Sequence, residues 1–294
     1  MIFKQTTSAI LAILLSACGG SGGSEAAPAG NGPATDPPIG VNTPAPAPVA
    51  NGSIWKPKVS DTWQWQLRGS LNAGYQVSVY DIDLFNTPQS TIDALHARGV
   101  KVVCYFSAGS SEDFREDYSR FASADKGAVL KGFDGERWLD VRSENVRSVM
   151  RDRIALASAK KCDAVEPDNV DGFANDTGFP LTFKDQLEFN QFLAKEAHGR
   201  GLAVGLKNDL DQIPQLVDLF DFAVNEQCHE FDECDKVLPF IAAGKPVFNA
   251  EYEDKYVRNE GGARDALCKS ARASNIRTLV LPLELEDSFR FSCD

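Results

Sequence analysis

The chain has 294 residues, a formal net charge of −12 and seven cysteines. An acidic protein of this kind lacks the cationic stripe that displaces counterions from nucleic acid, so nucleic-acid binding is excluded and a neutral or cationic ligand fits better. The three histidines, His96, His198 and His229, are dispersed and no Cys-x-x-Cys pair occurs, so no metal site is expected.

Residues 1–17 place Lys4 before an apolar run at 9–15 and the small residues Ser16 and Ala17. This is the layout of a secretory signal, and its core is too short to span a bilayer as a stable helix. Leu15-Ser16-Ala17-Cys18 resembles the bacterial lipobox, which implies cleavage before Cys18, lipid on that cysteine and a membrane anchor. The alternative is an ordinary signal peptide with a chance cysteine. Gly19 in place of an aspartate points to the outer membrane. Residues 18–52 are Gly, Ser, Pro, Ala, Asn and Thr with almost no large apolar side chain, so they form a tether.

Residues 53–294 come close to the ~250 of a single (β/α)₈ barrel. Three joints share one pattern: a helical run, a glycine cap and then a β-branched strand, at Gly99, Gly201 and Gly244. His96 and His198 fall in the last helical turns, where the dipole favours them, and read as structural. Strands are expected at 63–67, 76–81, 101–106, 163–167, 202–206, 222–225, 246–249 and 277–281. Eight strands alternating with helices argue for an α/β TIM-type barrel, with an open doubly wound sheet as the alternative. Long segments at 107–142 and 168–182 follow the third and fourth strands, where barrel active sites lie.

Once Cys18 is set aside, six cysteines remain in an exported chain, so disulfides are expected. Cys228 and Cys234 bracket a short acidic loop, and Cys268 is in reach of Cys293. Sequence alone leaves the pairings open.

The polar signals cluster at the C-terminal ends of the expected strands. They are Asp81 and Asp83, Tyr105, Glu166-Pro167-Asp168-Asn169, Lys207-Asn208, Asn225-Glu226 and Glu251-Tyr252. In a barrel these ends converge on one face. Clustered buried carboxylates repel one another unless paired or used, although any one of them alone reads equally well as a turn residue. Two carboxyl groups across a cavity are the apparatus of glycosidic cleavage. No Gly-x-Ser-x-Gly elbow, His-Glu-x-x-His or dinucleotide fingerprint competes with that reading. Trp63, Trp65, Tyr80, Tyr105, Trp138 and Tyr252 are candidate sugar-stacking aromatics, with barrel-wall packing the equal alternative for the first two.

Trp63-Gln64-Trp65-Gln66-Leu67, Tyr80-Asp81-Ile82-Asp83, Cys104 through Gly109, Val165 through Asp171, Leu206-Lys207-Asn208 and Asn225-Glu226-Gln227-Cys228 together resemble the endo-α-1,4-polygalactosaminidases, glycoside hydrolase family 114. The resemblance implies a (β/α)₈ fold and endo-hydrolysis of α-1,4-linked galactosamine polymers without a cofactor. It places the catalytic pair on Asp168 and Glu226. Asp168 is taken as nucleophile and Glu226 as acid/base in a retaining mechanism, with inversion and exchanged roles left open. Glu166, on the same strand face as Asp168, is its tuning neighbour or rival. Asp81, Asp83, Tyr105, Glu166, Asp171, Lys207, Asn208 and Glu251 are the candidate substrate contacts, their negative face suiting a cationic amino-sugar chain. The competing functions are a polysaccharide-binding lipoprotein without activity and a glycosidase of another α-linked specificity. A tethered monomer is the expected state.

Overall fold

The structure is a computed structural model that describes residues 53–294. The expected signal at 1–17, Cys18 and the expected tether at 18–52 lie outside the described residues. Within them, strands Trp63–Gln66 (β1), Val79–Asp83 (β2) and Lys101–Ser107 (β3) open the main sheet, with helix Gln89–Ala97 (α1) between the second and third. A three-stranded antiparallel sheet follows, made of Ser110–Glu112 (β4), Lys126–Leu130 (β5) and Phe133–Leu139 (β6) in the order β4-β6-β5. The chain then alternates Glu144–Ala159 (α2), Ala164–Asp168 (β7), Phe183–Gly199 (α3), Ala203–Lys207 (β8), Ile213–Leu216 (α4), Phe222–Glu226 (β9), Leu238–Ala242 (α5) and Val247–Glu251 (β10). Asp254–Val257 (α6), Ala263–Ala273 (α7), Arg277–Val280 (β11) and the short Phe291–Ser292 (β12) complete it.

Strands β1, β2, β3, β7, β8, β9, β10 and β11 pair in parallel in that order, and β12 adds antiparallel to β11. All eight expected strands are present. Side chains alternate between two faces, as the pleat requires. Trp63 and Trp65, Val79, Val103, Ala164, Ala203, Phe222 and Val224, Phe248 and Ala250, and Leu279 form one buried cluster drawn from every parallel strand, which is the barrel interior. Tyr80, Ile82, Cys104, Val165, Val204, Leu206, Ala223 and Val247 face outward onto the helices. Trp63 and Trp65 are therefore wall residues, 0% and 2% exposed.

The C-terminal segment spans the seam between β1 and β11. Leu67 and Arg68 donate backbone N–H groups to Leu285 O at 3.1 and 3.2 Å, Arg290 reaches Gln64 Oε1 and Trp63 O at 2.5 and 2.9 Å, and Trp63 Nε1 donates to Arg277 O. Two connections depart from a full set of eight helices: among the described residues no helix follows β1 or β11. The first link, residues 67–78, is short and turn-rich, with Gly69 at φ +71° and Asn72 Oδ1 accepting from Gly74 N.

The glycine caps behave as the sequence requires, Gly99 and Gly201 both taking φ +77° after α1 and α3. His96 and His198 bond Asp163 and Asp221, each at 2.9 Å, and these aspartates precede β7 and β9. Both histidines thus fasten helix ends to strand starts. Disulfides join Cys104 to Cys162, Cys228 to Cys234 and Cys268 to Cys293.

Candidate active site

Asp168, Lys207 and Glu226 are each the last residue of a parallel strand, and each is followed by a residue in the left-handed region: Asn169 at φ +58°, Asn208 at +49° and Gln227 at +63°. That conformation is uncommon outside glycine and most tolerable for asparagine. The turns release the chain sideways, leaving the three side chains on the interior face at the barrel rim.

Asp168 Oδ1 accepts from Lys207 Nζ at 2.9 Å and from Asn169 N at 2.7 Å, while Oδ2 accepts from the Tyr105 hydroxyl at 3.0 Å. Glu226 Oε2 accepts from the same Lys207 ammonium at 2.7 Å, and its Oε1 takes the hydroxyl of Tyr252. Asn208 accepts from Glu226 N through Oδ1 at 2.9 Å and donates Nδ2 to Glu226 Oε2 at 3.4 Å. Burial alone would lower the Lys207 ammonium, but the charges of Asp168, Glu226 and Glu166 hold it well above its ordinary value. Burial and the neighbouring carboxylates likewise keep Tyr105 and Tyr252 protonated, so both act as donors.

Beneath this layer, Asp81 and Glu166 meet inside the barrel at 1% and 0% exposure. Asp81 Oδ1 and both Glu166 carboxylate oxygens have no donor. Two facing carboxyl groups, three of whose oxygens lack donors, are accommodated by protonation of the pair. Burial raises both acids, Asp81 to about 7 and Glu166 well above the usual range.

Not every expected contact faces the cleft. Asp83 is enclosed, its oxygens bound by Arg115 at 2.6 and 3.1 Å and by the backbone N–H groups of Phe85 and Asn86. Glu251 is 0% exposed and lies on the outward face of β10, where Oε1 accepts from His229 N at 2.8 Å and from Asn249 Nδ2 at 3.1 Å. Asp83 thus anchors the Arg115 segment, and Glu251 anchors the His229 loop through Oε1 while its buried Oε2 has no donor. Asp171 and Asn208, with Glu226, line a cleft of about 300 Å³ built from the loops after β7, β8 and β9. Phe173, Asp209, Asp211, Phe231, Glu233 and Lys236 complete its main walls.

Tyr252, read from sequence as a stacking aromatic, instead gives its hydroxyl to Glu226, continuing the inward alternation of Phe248 and Ala250. Two further groups escape the sequence reading. Glu136 on β6 accepts from Ser110 Oγ at 2.7 Å, and burial raises it to about 7. Asp209 is 3% exposed, bonded to Asn190 Nδ2 at 2.8 Å and raised by burial and by Asp171 to about 9. Neither carries a motif. Cys228, His229 and Cys234 lie close enough to hold a metal, but the two sulfurs are bonded to each other.

A glycoside hydrolase family GH114 profile matches residues 44–294. The chain belongs to glycoside hydrolase family 114. Among solved structures, Aspergillus fumigatus Ega3 in complex with galactosamine is similar at 40% identity and a TM-score of 0.78, covering 83% of this chain and 99% of that one. The glycoside hydrolase domain of PelA from Pseudomonas aeruginosa shares the fold at 15% identity and a TM-score of 0.61, covering 77% of this chain and 96% of its own. No curated protein matches the chain. For a glycoside hydrolase, two carboxylates on one barrel rim, organised by a shared cation and two tyrosine hydroxyls, can serve as an acid and a nucleophile or base.

Proposed function

We propose that the protein is an endo-acting hydrolase of α-1,4-linked galactosamine-containing polysaccharide, with Asp168 as nucleophile and Glu226 as acid/base. The observation that carries the assignment is the Lys207 ammonium bonded to both carboxylates, at 2.9 and 2.7 Å. A single nitrogen at these distances keeps the two nearest oxygens short of the ~6.5–9.5 Å separation of inverting enzymes, which favours the closer spacing of retaining ones. The 40% identical relative solved with galactosamine supports the sugar, and the acidic cleft suits a cationic amino-sugar chain.

The roles follow from the surroundings. Asp168 receives three donors, an arrangement suited to an anion that attacks the anomeric carbon and later leaves it. Glu226 has the more exposed side chain, 25% against 16%, and lies in the cleft wall, where it can protonate the departing oxygen and then draw a proton from the attacking water. The test is release of new reducing ends from galactosamine-rich exopolysaccharide, with a fall in viscosity preceding it. Asp168→Asn and Glu226→Gln should both abolish release; undiminished rates in both would remove the site assignment. A protein that only binds polysaccharide would give saturable binding and no reducing ends.

The lipobox-like segment supports an exported enzyme, lipid-anchored through Cys18. Cys18→Ser should move it from the membrane to the soluble fraction. Unchanged fractionation would contradict the anchor.

A further inference from the structure

Glu226 ends β9, and the chain continues directly into residues 227–236, a loop that forms one wall of the cleft. Several bonds hold this loop. The Cys228–Cys234 disulfide closes it, Glu233 N donates to Cys228 O at 2.9 Å, Phe231 N donates to Gln227 O at 3.0 Å, and the buried carboxylate of Glu251 receives His229 N. Lys236 links it to the neighbouring loop through Asp211 at 3.7 Å. Residues so restrained would be expected to tuck an aromatic ring away, yet Phe231 is 59% exposed.

Single exposed apolar side chains are ordinary on protein surfaces, and eight other large ones occur among the described residues. Phe231 differs in place: of these nine, it is the one in the cleft wall. Phe173 enters the same cleft from the loop after β7, its ring edge-on to Phe183 at 5.3 Å between centroids. An aromatic face held still beside a catalytic carboxylate is suited to the C–H face of a pyranose and adds cation–π attraction for an ammonium on that ring.

We propose that Phe231 is a stacking platform for the sugar on the leaving-group side of the scissile bond, kept in position by the Cys228–Cys234 loop. The inference rests on Glu226 being the acid, because the sugar whose oxygen Glu226 protonates lies on the Glu226 side. The bond to the anomeric carbon breaks toward that sugar, and the platform retains it while the proton arrives.

The experiment compares two substrates. One is a galactosamine oligomer, which places a sugar against the loop. The other is an α-galactosaminyl fluoride, whose leaving group is too small to reach it. Phe231→Ala should raise KM for the oligomer about three- to tenfold, the scale of one aromatic contact, with a much smaller change for the fluoride. Phe231→Trp should restore oligomer KM, and the paired change Cys228→Ser with Cys234→Ser should raise it in the same direction. Leu219→Ala, an exposed apolar residue in the turn before β9, serves as the control and should leave both substrates unaffected. Circular dichroism checks that each variant is folded. Equal effects of Phe231→Ala on both substrates, or none on the oligomer, would overturn the platform. A wild type that cleaves no galactosamine oligomer would instead overturn the substrate reading, and the two failures are distinct.

Discussion

Asp168 and Glu226 stand on strands separated by β8, and the residue that ends β8, Lys207, bonds both carboxylates through one ammonium. Lys207 is buried, so its charge exists only because theirs do. Removing one member of a buried charge cluster costs about 3–5 kcal/mol, since the others stay desolvated without a partner. Lys207→Met is therefore expected to lower the free energy of unfolding by that order and to abolish most activity. Urea unfolding and reducing-end assays of the same preparation check both.

The Asp81 and Glu166 pair predicts an inverted pH dependence for one part of the stability. Both acids hold protons in the folded protein at pH values where the unfolded chain has released them, because their folded pKa values are raised. Stability therefore falls as pH climbs above the ordinary carboxylate range near ~4, with a slope of up to about 1.4 kcal/mol per pH unit for each retained proton. The loss levels off for Asp81 once its folded value of about 7 is passed. Glu166→Gln should flatten this slope, gaining on the wild type as pH rises from 4 to 7. Parallel curves from urea titrations would refute the protonation of the pair. Because glutamine keeps the shape, this variant should also retain more activity than Asp168→Asn.

Gly109 lies against the turn that follows Asp168, the proposed nucleophile. An added Cβ would sit 1.7 Å from the Asn169 carbonyl oxygen, a backbone atom that can yield only by moving. Asn169 N bonds Asp168 Oδ1, and Gly109 N donates to Asp168 O at 3.0 Å. Displacement of a reacting group by about 1 Å costs on the order of a hundredfold in rate. Gly109→Ala should show that loss in kcat with a comparatively small change in KM.

Glu251 holds its loop from behind. Glu251→Ala leaves His229 N without its acceptor and should cost about 1–3 kcal/mol. Amide exchange across residues 228–234 should accelerate while β7 and β8 stay protected; uniform exchange changes would contradict a local role.

Much of the barrel was legible because its strands obey two rules at once: β-branched apolar runs, several of them after a glycine cap, and a polar residue at their C-terminal ends. The two-residue period of a strand put Glu166 and Asp168 on one face. What escaped lies where partners are far apart in sequence. Asp83 reads as a site residue until Arg115, thirty-two positions away, occupies it. Glu251 resembles Glu226 in sequence, each a glutamate at a strand end after an asparagine or alanine, but their opposite strand faces give one a cleft and the other a buried loop. The β4-β6-β5 sheet was read only as a long loop, because much of β5 and β6 is exposed or half-buried and lacks a clean two-residue period.

The most direct test of the catalytic geometry is the anomeric form of the first product. Proton NMR of galactosamine oligomers during early hydrolysis should show the α anomer of the new reducing end first, with β appearing only by mutarotation. Initial appearance of the β anomer would mean that water attacks in a single displacement, and would contradict Asp168 as the nucleophile.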